Sequence, residues 1–308
     1  MAPTWKVPNR SRTHASPLIQ HSSSIVDVVA AVGVVLVGGR SSRMGSPKSD
    51  LEWHGSTLLR RTTAVVARAV EGPVLVVRAA GQLLPELGPG VTVHDDTREG
   101  RGPLQGIAVA LAAAADRADV AFVCSTDMPF LHVAFVRAVL RALTEDVDVA
   151  LPVTRGYPQP LAAAYRTSLA PLADKLVAAD RLRPAFLFDE CRVTRLDDAA
   201  LRADPLVAAL DPALDSVVNL NEPADYEQAR SLPPPEITVQ CFGVLAGQGG
   251  RGPRTVRAAT LAEAAAAVSL RLGQHVLAAL NGDQVTRDGH LPLLTGDTVA
   301  FISADAGG

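Results

Sequence analysis

The chain has 308 residues, 48% hydrophobic and only 4% aromatic, with 29 basic against 32 acidic side chains for a formal net charge of −3. That length and composition suffice for two cores built from alanine, valine and leucine, while the near-balanced charge without a dense basic run argues against nucleic acid as a partner. Cys124, Cys191 and Cys241 lie far apart and form no CxxC pair, so they read as packing thiols of a reducing cytoplasm rather than a zinc or disulfide framework.

Residues 1–30 are polar, with scattered Pro, Ser and Arg and no apolar periodicity, and are expected to be a disordered extension. The apolar run from Ile25 to Val37 contains Asp27 and leads directly into a glycine loop, so neither an export signal nor a membrane segment is expected. Val32 to Val37 is too short for a helix and rich in β-branched residues, which predicts a strand buried on both faces. Gly38 and Gly39 follow, and glycines there allow positive φ and close approach of backbone N–H groups to an anion. Arg40, Arg43 and Lys48 add positive charge to the same loop, giving the composition of a polyphosphate cradle. Neither GxxxxGK[ST] nor GxGxxG fits, since five residues separate Gly39 from Gly45 and Lys48 comes too late. An ordinary βα turn with solvated arginines is the alternative at this point.

Downstream, Ser56 can cap a helix from about Thr57 to Val70, and strands are expected at Val74–Val77, Val91–Val93 and Val120–Cys124, with a helix over Pro103–Ala115. Helical patterns at Val133–Leu143 and Ser168–Ala178 and strands at Val147–Leu151 and Pro160–Tyr165 complete an α/β alternation. It predicts a doubly wound, mostly parallel sheet with ligands outside the carboxyl ends of the strands. Three loops at those ends carry chemistry. Asp95 and Asp96 precede Gly102-Pro103, a helix entrance suited to an anion or a base edge, though a solvated acidic turn would look the same. Asp127, before Met-Pro, is suited to Mg²⁺, which takes one or two carboxylates and completes its shell with phosphate and water, or it is an N-cap. Asn219 and Asn221 break a short strand before a capped helix.

Residues 231–235, with three successive prolines, read as a linker that separates a first domain over 31–230 from a second over 236–308. In the second domain, strands are expected at Ile237–Phe242, Val276–Leu280 and Thr298–Ser303, a helix over Leu261–Leu272, and turns at the NGD and DGH tripeptides. This ββαββ plan is that of a β-grasp (ubiquitin-like) fold, and the sequence closes on Gly307-Gly308.

The stretch from Gly33 to Gly55 resembles the signature LxGGxSxRMGxxKxxLxxxG of molybdenum cofactor guanylyltransferases, through Leu36, Gly38, Gly39, Ser42, Arg43, Met44, Gly45, Lys48, Leu51 and Gly55. The resemblance implies a nucleotidyltransferase domain that moves GMP from GTP to molybdopterin and releases pyrophosphate. It further implies a nucleotide held by Leu36, Val37, Gly38, Gly39, Arg43, Gly45, Lys48, Arg78, Asp96, Gly102 and Asp127. Arg43, Lys48 and Asp127 would be catalytic, Asp127 would carry Mg²⁺, and Asn219 and Asn221 would lie on the pterin side, as would the segment Gly156–Arg166. Pro47 and Arg78 depart from the family pattern, which leaves a cytidylyltransferase of the same fold as an alternative. The order VLAALNGDQVTRDGHLPLLTGDTVAFISADAGG resembles the sulfur-carrying small subunit of molybdopterin synthase. That likeness implies a thiocarboxylate at the Gly307-Gly308 terminus, with the large synthase subunit and an adenylating enzyme as partners. A sulfur carrier whose front half only binds nucleotide is the further alternative.

Overall fold

The computed structural model describes residues 30–38, 47–70, 72–96, 98 and 100–304. The expectations for the amino-terminal extension before residue 30, for Gly39, Arg40, Arg43 and Gly45 of the glycine loop, and for Gly307 and Gly308 lie outside the described residues. No helix among those residues is long and apolar enough to cross a membrane.

Chain order in the first part is β1 (Val32–Val37), a small hairpin of β2 (Glu52–Trp53) and β3 (Ser56–Thr57), α1 (Leu58–Ala69), β4 (Val74–Ala79), β5 (Val91–Asp96), α2 (Pro103–Ala114) and β6 (Val120–Ser125). There follow α3 (Val133–Arg141), β7 (Val149–Thr154), β8 (Tyr157–Pro158), β9 (Ala162–Arg166), α4 (Ala170–Ala178), α5 (Pro184–Phe188), β10 (Val193–Asp197), α6 (Asp198–Arg202), α7 (Pro205–Leu210) and α8 (Pro223–Arg230). Among the described residues one sheet runs in the order β10-β7-β9-β6-β1-β4-β5, with β8 paired to β7. The pairs β6–β1, β1–β4, β4–β5 and β7–β10 are parallel, and β9 runs antiparallel between β6 and β7. Every residue of β1 is buried, as a central strand of apolar residues covered by helices on both faces must be.

One apolar layer packs Leu59, Val65 and Val66 of α1 and Phe135, Val136 and Val139 of α3 against Val35, Val76 and Phe122. The opposite layer packs Leu104, Ile107 and Leu111 of α2 and Leu176 and Val177 of α4 against Val34, Leu75 and Val123. Gly33 admits α1 closely, since a Cβ there would meet Val66 Cγ1 at 2.2 Å.

After Pro233–Pro235 the chain forms β11 (Glu236–Cys241), α9 (Ala246–Gly249), β12 (Arg254–Arg257), α10 (Leu261–Ala267), β13 (Val276–Leu280), β14 (Gln284–Thr286) and β15 (Thr298–Ser303). The second sheet has the order β12-β11-β15-β13-β14, with β11 and β15 parallel and the other neighbours antiparallel. Its own core joins Ile237, Val239, Leu280 and Phe301 to Leu261 and Ala265 of α10.

Several boundaries differ from the sequence-based expectation. The cap of α1 is Thr57, whose side chain accepts from the Arg60 N–H, while Ser56 belongs to β3. The strand expected before Asn219 is a 3-10 turn at Asp215–Val217, because Asp211 accepts from Asp215 N and Ser216 N and coils the backbone. Strand β6 ends at Ser125, two residues before Asp127, and α3 opens at Val133 under an N-cap by His132, so Asp127 is not the cap of that helix. Asp95 and Asp96 close β5 instead of forming a loop turn. Helix α10 stops at Ala267, followed by Ser269 at φ +60°, short of Leu272. Cys124 and Cys241 are buried as expected of packing thiols, whereas Cys191 is half-buried.

Candidate active site

The carboxyl ends of β1, β4, β5 and β6 open onto a cavity of about 680 Å³. Its walls include Leu36, Val37 and Gly38 from the end of β1, Arg78 from β4, Asp96 from β5, Gly102 and Pro103 at the mouth of α2, and Ser125 from β6. Parallel strands point their ends to one edge of the sheet, and the loops that leave them must diverge to reach helices on opposite faces, which creates the crevice.

A narrower recess joins this cavity through Leu36, Val37, Gly38 and Ser125, and adds Lys48, Gln82 and Asp127. There the Lys48 ammonium donates to Asp127 Oδ2 at 2.7 Å, and Ser125 Oγ donates to Asp127 Oδ1. Both members of the ion pair are about one-fifth exposed. Lys48 reaches this point on a single 3-10 turn, Lys48–Asp50, that follows Pro47. Thr126 holds the Asp127 turn to the end of β1, since its N–H and its hydroxyl both donate to Leu36 O.

The Asp96 carboxylate accepts from Arg98 N and from Gln105 Nε2, both at 2.9 Å, which fixes its orientation at the cavity wall. Gln105 is buried, and its Oε1 has no hydrogen-bond partner. Arg78 lines the cavity, but its guanidinium is engaged with Asp95 Oδ1 and Gln82 O, each at 2.7 Å. Gly102 adopts φ +82°, a conformation that costs a β-carbon residue strain, and lets the chain enter α2 through Pro103.

Leu220 N donates to Asp127 O at 3.0 Å, so the Asn219–Asn221 segment is tied directly to the Asp127 turn. The Asn219 amide turns to Val217 O at 3.4 Å, and Asn221 is exposed, its N–H held by Asp225. The Tyr157–Pro158 strand pairs with β7, and of the segment 156–166 only Leu161 lines the main cavity. Leu36, Val37, Gly38, Lys48, Arg78, Asp96, Gly102 and Asp127 are thus gathered at one sheet edge. Sequence reasoning missed Ser125, Gln82 and Gln105. Ser125 was hidden as the last residue of an apolar strand, and Gln105 inside a helix whose motif drew attention only to its glycines and proline.

The model of the MobA-like NTP transferase domain matches residues 33–193, just over half of the chain. The chain belongs to that family. Within it, a relative from Mycobacterium ulcerans named "Probable molybdenum cofactor guanylyltransferase" is 40% identical over 193 residues, covering 61% of this chain and 94% of the relative. A Mycobacterium tuberculosis protein with the same name is 39% identical over 174 residues, 55% of this chain and 85% of its own. The crystal structure of molybdopterin-guanine dinucleotide biosynthesis protein A from Archaeoglobus fulgidus shares the fold, with a TM-score of 0.50 at 20% identity over 65% of this chain and 96% of that one. The matched residues carry the first sheet from β1 to β9, and this chain is therefore a nucleotidyltransferase with a mostly parallel α/β core.

Among the described residues no group of three or more His, Cys, Asp or Glu side chains gathers as a metal cage. The donor set at Asp127 is one carboxylate with a neighbouring hydroxyl, already neutralised by a cation, the Lys48 ammonium. That fits a hard divalent ion that takes a single protein carboxylate and depends on phosphate oxygens and water for the rest of its shell.

Proposed function

We propose that the amino-terminal domain, 31–230, transfers GMP from GTP to molybdopterin and releases pyrophosphate. The observation that carries this reading is the Lys48–Asp127 pair at the floor of a recess continuous with a cavity at the sheet's carboxyl edge. The approximately 40% identity to relatives named for that activity supports it. In this reading the nucleotide occupies the larger cavity, between Leu36–Gly38, Arg78 and the Gly102-Pro103 helix mouth, and Gly39, Arg43 and Gly45 keep the nucleotide-binding role that the family resemblance implies. Asp96, held by Gln105, orients the nucleoside. Lys48 leaves Asp127 for the α-phosphate and leaving-group oxygens, where its charge offsets the charge that grows on pyrophosphate. Asp127 and Ser125 are the residues that would hold Mg²⁺, which when bound supplies charge neutralisation between the phosphates and an anionic nucleophile. Asn219 and Asn221, tied to the Asp127 turn through Leu220, stand on the side from which the pterin phosphate attacks. No residue acts as a nucleophile.

Arg78 and Pro47 depart from the family pattern, so the discriminating assay offers each nucleoside triphosphate in turn with molybdopterin and Mg²⁺ and measures pyrophosphate release. GTP is expected to be preferred; CTP at equal or higher kcat/KM would replace guanylyl by cytidylyl transfer.

We propose that residues 236–308 are a sulfur carrier of the β-grasp type, joined by the linker 231–235. The parallel pairing of β11 with β15 at the sheet centre, flanked by β12 and β13–β14 with α10 across one face, supports this. Gly308 would receive sulfur as a thiocarboxylate after adenylation by an activating enzyme and deliver it within the large synthase subunit. Mass spectrometry of protein produced with such an enzyme should find one oxygen replaced by sulfur at Gly308; an unmodified terminus would remove this half of the proposal.

A further inference from the structure

The junction of the two domains encloses a second cavity, of about 340 Å³, that shares no lining residue with the cavity at the strand ends. Its apolar wall includes Trp53, Phe130, Leu294 and the linker prolines Pro233–Pro235, with Trp53 and Phe130 packed edge to face at 5.6 Å. Its charged feature is Arg61, on α1, only 7% exposed. Arg61 Nε donates to Pro129 O at 2.7 Å, while the two terminal nitrogens of the guanidinium have no hydrogen bond or ion pair with any described residue. The residue lines the cavity.

The other ionisable groups around the cavity are already committed. Asp211 accepts from Asp215 N and Ser216 N, and Asp215 faces Arg155. His132 accepts from Ala134 N through Nδ1 and meets Thr295 O through Nε2, and His54 Nδ1 meets Arg230. The charges that act on Arg61 are Arg68 and Asp297, and those two pair with each other at 2.5 Å. Burial, more than any neighbour, pulls the Arg61 pKa down to about 10, as expected of a guanidinium without a direct counter-ion. A guanidinium stays charged at neutral pH, and a buried charge lacking a partner is costly, whereas its planar fork matches a carboxylate or phosphate.

We propose that this cavity binds a small amphipathic oxyanion, a carboxylate or phosphate monoester, whose head engages Arg61 and whose apolar body rests on Trp53, Phe130 and the linker prolines. The walls come from the first domain, the linker and Leu294–Thr295 of the second, so such a ligand would bridge all three.

The test uses the full chain with Trp5→Phe, which leaves Trp53 as the sole indole, and follows its fluorescence during titration with benzoate, phenyl phosphate or neutral benzyl alcohol. Saturable quenching by one or both oxyanions is expected, and their relative affinities identify the preferred head group. Arg61→Gln should weaken binding about tenfold or more, and Arg61→Lys, which keeps the charge but loses the fork, by less. Lys48→Ala should leave the titration unchanged, which separates this site from the phosphate recess. Absence of saturable quenching up to about 10 mM, equal binding of benzyl alcohol, or undiminished oxyanion binding by Arg61→Gln would overturn the proposal. If Arg61→Gln does not fold, the Arg61→Lys series against benzyl alcohol decides it.

Discussion

The carboxylate on which the proposed chemistry rests is occupied at both oxygens. Asp127 holds Lys48 through Oδ2 and Ser125 through Oδ1, so neutralising it removes an anchor as well as an anion. Asp127→Asn should lower kcat/KM for pyrophosphate release by about 10²- to 10³-fold with the fold intact by circular dichroism, a loss comparable to that of one preorganised electrostatic partner. Unchanged turnover would reduce the front half to a binding module. His132 makes a different kind of demand. Burial, opposed by Thr295 O, Asp211 and Asp297 and assisted by Arg68, holds its pKa below the ordinary 6.5. The unfolded chain therefore binds a proton there that the folded chain refuses, and stability falls as the pH drops below about 6.5 toward the folded value. Asp211, beside it, has the opposite sign: burial raises its pKa despite bonds from Ser216 and Asp215, so its contribution is lost as pH rises through its folded value. Urea midpoints measured between about pH 7.5 and about pH 5.5 should decline in the wild-type chain and decline less in His132→Asn.

Helix α1 connects the site to the rest of the molecule. Its start is fixed by the Thr57 side chain, and Thr57→Ala should cost about 1 kcal/mol in denaturant unfolding, whereas Ser56→Ala, which removes no cap, should cost less. From there the helix sends Arg61 Nε to Pro129 O and the Thr62 hydroxyl to Leu58 O and, at 3.4 Å, to Thr126 O, bracing the turn on both sides of Asp127. At the opposite wall, Gly102 enters α2 at φ +82°. Gly102→Ala should cost about 1–2 kcal/mol from the left-handed backbone, with a rise in KM for nucleotide because the mouth of α2 lines the cavity. These elements were legible to differing degrees. Strands β1, β4 and β6 follow from β-branched runs, and α2 from Gly-Pro before an apolar periodic stretch. The helix cap at Thr57 was missed because adjacent Ser56 offers the same chemistry, and only the short β2–β3 pairing decides between them. Likewise β10 and the short α5–α7 helices are too brief and too exposed to show periodicity.

The two domains meet along the outer face of α1 and the loop before α3. Arg68 and Asp297 form a buried pair at 2.5 Å, Arg68 also donates to Pro292 O, and Arg60 donates to Asp288. Asp297 further accepts from Asn281 Nδ2 and Leu294 N, so one carboxylate organises the turn before β15 and the docking contact together. Asp297→Ala should therefore destabilise the chain by about 3–5 kcal/mol, since it strands Arg68 as well as opening that turn. Arg60→Ala, whose pairs with Asp288 and Glu86 are more exposed on the acidic side, should cost about 1 kcal/mol or less. The α/β alternation, the mostly parallel sheet and the placing of Lys48 and Asp127 in the chain segments that follow β1 and β6 followed from local pattern, because apolar runs and turn residues act over a few neighbours. Tertiary structure alone brought Lys48 onto Asp127, 79 positions away in sequence, set Leu220 against the same turn, and left the Arg61 guanidinium facing a cavity between domains. Such juxtapositions arise from how strands are ordered and domains are docked, which depend on contacts between segments far apart in the chain and leave no periodic mark within either segment.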